Sequence, residues 1–452
     1  MGSAGLGLAL LLSLAAGVGA LSPLLWNGAA TRWSTLVGYG FAAGLVLTTL
    51  VMRATFAARL GLSFGVTAAG LVLVAVLGAG TTWFLRTRGR FRSAVETPAP
   101  VSSERGWRRL AWLVFVAMAV ARIAGLALEA WWRPLFPWDA WDIWGPKTKI
   151  WFETRDLNNL YGHFDNGYPP GINLIQVWAN LGLGSWDDAK MNMAWPLLLG
   201  ALALAAYGQA RRVGASPLAA AVVAYLLASI PILDAHAALP GYADLPLAVT
   251  FGLSAIAFFV WVVTNDARQL VLAVVFAAMT PLYKIPGVIW SLTLVPAVLV
   301  ALYNRASGRK ALRWTLVIVV ASLAAAGYLY LKQRNFSVTL YQAHAAPNPS
   351  AGFVLDNYFL LDNYHLLWYL VVVALAVWWR EAIAAALRPA TTLIAAGVAF
   401  LVVSFFFTNS ADWWGDYGTI NRATIHLAPA LVFYLFLISR ASNSTAATTE
   451  RS

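Results

Sequence analysis

The chain has 452 residues, of which 60% are hydrophobic and 11% are charged, and its formal net charge is +12. Soluble domains average about 25% charged residues, so this composition excludes a soluble globular protein and indicates a polytopic membrane protein. The sequence has no cysteine, which excludes a disulfide framework, a thiolate metal site and a cysteine nucleophile.

Apolar segments long enough to cross about 30 Å of hydrocarbon recur along the whole chain. We predict thirteen transmembrane helices, at 4–22, 35–52, 62–85, 110–131, 193–210, 217–234, 243–263, 269–283, 286–303, 314–331, 364–379, 391–407 and 424–439. The segments lack the alternation of barrel strands, so the predicted fold is an all-α polytopic membrane protein. Its parts are N-terminal helices with a basic loop (1–109), a transmembrane core (110–440) and a polar tail (441–452).

Basic loops indicate the orientation of these helices. They lie at 86–110, 211–212, 304–313 and 380–388. Alternation of the helices puts all of them on one side, which the positive-inside rule makes cytoplasmic. The stretches that fall on the other, outer side are 132–192, 235–242, the region around 284, 332–363 and 408–423. Arg53 and Arg59 would also face outward, which fits the rule less well.

The longest outer loop opens with FPWDAWDIWGPK at 136–147. Asp139 and Asp142 share one face if this stretch is helical. Three tryptophans repeat on an adjacent face: Trp138, Trp141 and Trp144. An interfacial belt explains the indoles, but it does not need two carboxylates. A carboxylate partly desolvated between indoles suits a general base, so we predict that one of the two aspartates is catalytic, with Asp139 favoured.

The same loop contains YGHFDNGYPP at 161–170, where the proline pair starts a helix predicted over 171–183. We expect this helix to lie along the membrane surface. His163 and Asp165 are two residues apart, close enough to share a metal or a polar ligand, although solvated loop positions would explain both.

Further along, LDAHAALPGYADLPLA at 233–248 ends one span and starts the next. We expect Asp234, His236 and Asp244 to cluster at the outer face. Acids at an apolar boundary are expensive and tend to be functional. The alternative for Asp244 is a helix cap.

Two cations belong to the same outer side. Lys284 interrupts an apolar stretch, and Arg422 precedes the last span. Both suit a phosphate group, and the alternative is that their side chains snorkel to the interface. Arg122 lies near the middle of its span, where we expect a structural ion pair helped by Glu129.

These motifs resemble the GT-C superfamily of membrane glycosyltransferases, most closely its bacterial protein-mannosyltransferase and aminoarabinose-transferase types. The resemblance covers roughly 110–440 and rests on a long first outer loop that opens with acidic and aromatic residues. It also rests on Tyr168 with the proline pair after it, and on Arg422 before the last span. It implies a GT-C-like fold whose first periplasmic loop, 132–192, carries surface helices.

The resemblance implies a transferase that moves a sugar from a polyprenyl phosphate to a lipid, glycan or protein hydroxyl. The active face would be the periplasmic face of a bacterial inner membrane. The implied catalytic aspartate is Asp139 or Asp142, and Arg422 and Lys284 would bind the lipid phosphate. Substrate contacts are expected from Trp138, Trp141, Tyr168, Asp244 and His163. A divalent metal (Mg, Mn or Zn) would be held by His163, Asp165 and His236, with Asp244 as a further ligand.

A different class fits the same charged outer cavity: a transporter or flippase of lipid-linked or polar solutes. It predicts polar residues and broken helices near the bilayer midplane and an inverted repeat. The polar residues fall mostly at one face and the sequence shows no repeat, which favours the transferase. Neither reading involves nucleic acid.

Overall fold

The computed structural model describes residues 2–27, 32–88, 106–160, 167–303, 351–408 and 418–449. The regular elements in these ranges are helices. Those up to residue 303 are α1 (Gly2–Leu25), α2 (Trp33–Ala57), α3 (Phe64–Thr87), α4 (Trp107–Trp132), α5 (Gly145–Thr154), α6 (Gly171–Leu183), α7 (Ala194–Arg212), α8 (Pro217–Ser229), α9 (Pro231–Ala238), α10 (Asp244–Thr264), α11 (Ala267–Met279), α12 (Gly287–Leu292) and α13 (Leu294–Tyr303). The later ones are α14 (Ala351–Leu355), α15 (Leu367–Val377), α16 (Trp379–Ile383), α17 (Arg388–Phe407), α18 (Gly418–Thr424) and α19 (Ala428–Thr449).

Seven helices within the described residues are long and apolar enough to cross a membrane, and two bent pairs raise the number to nine. The bent pairs are α8 with α9 and α18 with α19. Three shorter apolar helices, Ala267–Leu282, Gly287–Tyr303 and Leu367–Val377, coincide with further predicted spans. The span predicted at 314–331 lies outside the described residues. A multi-pass, all-helical protein is therefore confirmed, whereas the number thirteen is not.

Helix α10 is the centre of the bundle, because 83% of its most apolar 18-residue stretch is buried inside the protein. Helix α4 is at the periphery, since only 6% of its corresponding apolar stretch is buried. Its exposed side chains include Leu113, Met118 and Val120, which suit contact with lipid rather than water. The first residue of the central helix is Asp244, so the fold holds this acid at one end of the most enclosed of these candidate spans.

The helix predicted over 171–183 forms with the expected bounds as α6, but its expected position on the surface is wrong. All thirteen of its residues are buried. The indole Nε1 of Trp178 donates to the carbonyl oxygen of Ala9 in α1 at 3.0 Å, and Asn173 and Gln176 form hydrogen bonds inside the protein. Internal partners for these polar groups permit a position that the sequence alone does not indicate.

The ion pair expected between Arg122 and Glu129 does not form. Arg122 instead pairs with Asp234 of α9, and Glu129 pairs with Arg133, the residue that follows the end of α4. The pairing ties α4 to the short helix that follows the 59° bend between α8 and α9. Asp234 is therefore engaged by α4 rather than by the groups around Asp244.

Helices α1 and α2 pack with their backbones in close contact through glycines. A Cβ atom added at Gly17 would overlap the backbone of Gly40 and Gly44 in α2. A Cβ atom added at Gly7 on the same α1 helix would meet nothing within 4 Å. The small residues of α1 therefore set the distance between the two helices.

We expect Gly17→Ala to destabilise the protein by about 1–3 kcal/mol, because the added methyl group overlaps backbone that has no room to shift. Gly7→Ala is the matched control: it should be neutral, or stabilising by up to about 1 kcal/mol through helix propensity. Thermal unfolding in detergent, followed by tryptophan fluorescence, measures both. Equal melting temperatures for Gly17→Ala and the wild type would contradict the packing.

Candidate functional site

Two carboxylates and two cations from four distant parts of the chain meet at one end of the bundle. Arg422 lies at their centre: its Nη2 donates to Asp139 Oδ2 at 2.5 Å and its Nε donates to Asp244 Oδ2 at 2.9 Å. Lys284 Nζ donates to the other oxygen of Asp244 at 2.8 Å. We call Asp139, Arg422, Asp244 and Lys284 the ion network. Alternation of the spans predicts that these four positions lie on one side, and their contacts agree with it.

The network has an accessible pair and a buried pair. The side chains of Asp139 and Arg422 are each 23% exposed, whereas that of Asp244 is 1% exposed. Both oxygens of Asp244 accept from cations, which compensates for burying its charge. Burial lowers the pKa of Lys284, and the neighbouring Asp244 carboxylate opposes that shift. Asp244 and Lys284 thus form a fixed, buried ion pair that orients the guanidinium of Arg422.

Tyr242 covers the guanidinium from another side. The Arg422 carbon Cζ lies 4.3 Å from the centre of the Tyr242 ring, a cation–π contact. The indole Nε1 of Trp195 donates to the carbonyl oxygen of Tyr242 at 2.9 Å and fixes its backbone. Burial raises the pKa of the Tyr242 phenol, Arg422 opposes this, and the carboxylates of Asp139 and Asp244 reinforce it. The phenol is therefore neutral at physiological pH.

Gly241 allows the segment that carries Asp139 to approach the start of α10. Its φ is +103°, a conformation that side chains rarely adopt. A Cβ atom here would lie 2.8 Å from the Cβ of Ala140. Ala140, the residue after Asp139, is fully buried. The glycine between α9 and α10 therefore permits the contact that places Asp139 beside Arg422.

A buried set of hydrogen bonds holds the Asp139 segment from the other side. Ala140–Trp144 is a π-helix that leads directly into α5. Asn173 Nδ2 of α6 donates to the carbonyl oxygen of Trp144 at 2.7 Å and to Thr148 Oγ1 at 2.9 Å. Thr148 in turn donates to Gln176 at 2.8 Å. The buried helix α6 thereby fixes the π-helix that follows Asp139.

The structure distinguishes the two aspartates of the opening motif. Asp139 contacts Arg422, whereas Asp142 is exposed and its carboxylate has no partner among the described residues. The expected single face of indoles is wrong: Trp144 is 2% exposed, while Trp138 and Trp141 are 63% and 45% exposed. The physical reason is the π-helix, which has more residues per turn than the α-helix that the prediction assumed.

The two exposed indoles contact each other edge to face, with ring centres 4.8 Å apart. Tyr168, another expected substrate contact, packs on the buried Trp144 ring at 5.3 Å. Trp138 and Trp141 thus keep accessible aromatic surface next to the acid, while Tyr168 supports the π-helix.

The expected metal ligands are not assembled within the described ranges, where no three His, Asp or Glu side chains form a metal-binding group. His236 Nδ1 bonds to the carbonyl oxygen of Ile232 at 2.9 Å, and its ring packs on Tyr242. Asp244 already gives both oxygens to cations. His163 and Asp165 lie outside the described residues. The metal stays a prediction, and no step below uses one.

Two residues of the site were missed by sequence reasoning. Tyr242 was overlooked because an aromatic residue in a turn carries no distinctive pattern. His426 Nε2 lies 3.5 Å from Asp244 Oδ1, and its ring packs on Trp290. Its position four residues after Arg422 was the available signal, because a histidine so close in the chain stays near the arginine even though it lies in the turn between α18 and α19.

No model of a known protein family matches the chain, and no curated protein and no solved structure matches it. The resemblance to the GT-C superfamily therefore stays an expectation drawn from short motifs. The residues that carry it lie within the described ranges: Asp139, Asp142, Tyr168, Pro169, Pro170 and Arg422.

We expect Asp244→Asn to destabilise the protein by about 3–5 kcal/mol, because it leaves Lys284 buried without a counter-charge and removes one of the two carboxylates that pair with Arg422. Asp142→Asn is the matched control and should stay within about 0.5 kcal/mol of the wild type, since that carboxylate is exposed. Thermal unfolding in detergent and the yield of monodisperse protein measure the effect. Similar stability of the two variants would contradict the compensation of charge in the network.

Proposed function

We propose that the protein is a membrane glycosyltransferase of the GT-C type. It would move a sugar from a polyprenyl-phosphate donor to a hydroxyl of a lipid, glycan or protein acceptor. The bilayer is the inner membrane of a bacterium, and the active face is its periplasmic side. The observation that carries this proposal is the position of Arg422, which joins an accessible carboxylate to a buried one at a single end of the bundle.

The accessible part of the network has the groups that such a transfer needs. A guanidinium has five N–H donors, and the bonds to Asp139 and Asp244 use two of them. The remaining donors suit the oxygens of a phosphate monoester, with a fork geometry that lysine lacks. Asp139, 23% exposed, is the carboxylate that an acceptor hydroxyl reaches most directly.

In the proposed reaction Asp139 accepts the proton of the acceptor hydroxyl. The hydroxyl oxygen forms a bond to the anomeric carbon while the bond from that carbon to the phosphate oxygen breaks. The electron pair leaves with the polyprenyl phosphate, whose growing charge Arg422 stabilises. Such stabilisation is most effective where water is scarce and donors are held in advance. A single displacement inverts the anomeric centre.

Lys284 acts in this scheme mainly through its neighbour. It is buried against Asp244, so it fixes the carboxylate that orients Arg422. Direct contact between Lys284 and the lipid phosphate, which the family resemblance implies, requires the lysine to exchange Asp244 for the phosphate. Trp138 and Trp141 would stack on the sugar, as aromatic faces do on apolar ring faces.

One observation supports the alternative function, a transporter or flippase. The bent α8–α9 span, with Asp234 bound to Arg122 beyond the bend, is the kind of broken helix that transporters use. The ion network instead lies at helix ends and at one end of the bundle. That one-sided arrangement suits chemistry at one face better than alternating access, so we favour the transferase.

We expect Asp139→Asn to lower sugar transfer by about 100- to 10,000-fold, the usual contribution of a general base. Asp142→Asn, three residues away and exposed, should retain transfer. Both variants are compared in proteoliposomes with polyprenyl-phosphate sugars and an envelope extract as acceptor, and release of polyprenyl monophosphate is measured.

The same variants in a deletion strain, followed by mass spectrometry of envelope glycans, identify the acceptor. The proposal is wrong if Asp139→Asn transfers sugar at the wild-type rate. If the protein transports solutes or flips lipids but transfers no sugar, the transporter is favoured instead.

A further inference from the structure

A second group of cations lines a cavity separate from the ion network. The cavity has a volume of about 1240 Å³ and lies between the α2–α3 turn and α5. Arg53 and Arg59 enter it from the end of α2, and Lys147 and Arg155 enter it from α5 and its C-terminal cap. Asp156 is the one carboxylate among its described lining residues. The lining therefore carries a large excess of positive charge.

Asp156, the carboxylate of the lining, does not neutralise the arginines around it. Asp156 Oδ1 accepts from the backbone N–H of Asn158 at 2.9 Å and so stabilises its own turn. Arg155 lies over the ring of Phe152 at 4.3 Å. The exposed guanidinium groups of Arg53 and Arg59 have no carboxylate partner in the described ranges. Like charges gathered without an anion repel one another, which favours binding of an anion from outside.

The backbone adds an independent observation. Arg59 and Arg155 have φ values of 59° and 58°, in the left-handed region. Helix ends commonly use this conformation, but with glycine or asparagine rather than a long side chain. Arginine is less favourable than glycine there, because its Cβ atom crowds the backbone. Two such arginines facing one cavity match the tendency of strained residues to cluster at ligand sites.

The lining also contains apolar side chains, Leu50, Phe56, Trp151 and Leu157. An arginine fork matches the oxygens of a phosphate, and the apolar side chains suit a hydrocarbon stem next to it. Basic pockets beside transmembrane helices bind lipid head groups in the same way.

We propose that this cavity is a binding site for a phosphate group. The site lies apart from Arg422 and includes residues of α2, so it goes beyond the proposed transfer reaction and does not depend on it. The phosphate comes either from a lipid head group or from a water-soluble phosphate, and both sources share the same contacts to Arg53 and Arg59.

The test measures binding to the full chain in nanodiscs made of phosphatidylcholine. Polyprenyl monophosphate and phosphatidylglycerol are the lipid probes and inorganic phosphate is the soluble probe, with native mass spectrometry and thermal shift as readouts. The variant is Arg53→Gln with Arg59→Asn. Asparagine tolerates the left-handed backbone at position 59, so the charge is removed without new strain. Arg109→Gln, an exposed arginine at the start of α4, is the matched control.

We expect the double variant to weaken binding by about tenfold or more, as the loss of two charge-assisted contacts implies, and Arg109→Gln to leave it unchanged. Loss with the lipid probes alone supports a lipid head group, and equal loss with inorganic phosphate supports a soluble ligand. Wild-type binding by the double variant overturns the proposal, and so does equal weakening by Arg109→Gln. None of these readouts requires sugar transfer, so failure here is separate from failure of the transferase proposal.

Discussion

The pairing of Arg422 with Asp139 and Asp244 is the interaction on which the candidate site depends. A charge without compensation at the end of an apolar bundle is costly. Here each carboxylate lies within hydrogen-bond distance of a cation, and each cation within that distance of a carboxylate. Because these partners come from four distant parts of the chain, forming the network also fixes how those parts meet.

The surrounding fold holds this arrangement from two directions. Gly241 lets the residue after Asp139 contact the turn before α10, and the buried polar groups of α6 hold the π-helix from the other side. As a result, Asp244 and Lys284 are buried, whereas the side chains of Asp139 and Arg422 are partly exposed. Donors that are already oriented need no reorganisation when a charge binds to them, which is the property that favours catalysis in general.

Hydropathy and the cost of buried charge explain why the helices and three of the four residues of the ion network are predictable from the sequence. Long apolar runs mark the helices, and charges that interrupt such runs pointed to Asp244, Lys284 and Arg422. Where sequence reasoning was wrong, the cause was a partner distant in the chain or a local change of helical period. The polar groups of α6 find internal partners, Arg122 finds Asp234 rather than Glu129, and the π-helix separates Trp144 from the other indoles. None of these contacts leaves a periodic signal.

The basic cavity beside α5 and the ion network share one segment of chain, since Lys147 follows the π-helix that begins after Asp139. The most direct measurement of the central claim is a structure with a polyprenyl-phosphate sugar bound. We predict that this structure shows phosphate oxygens within hydrogen-bond distance of Arg422 and the anomeric carbon facing Asp139. A donor phosphate bound elsewhere, with Arg422 still joined to both carboxylates and inaccessible to the sugar, would contradict it.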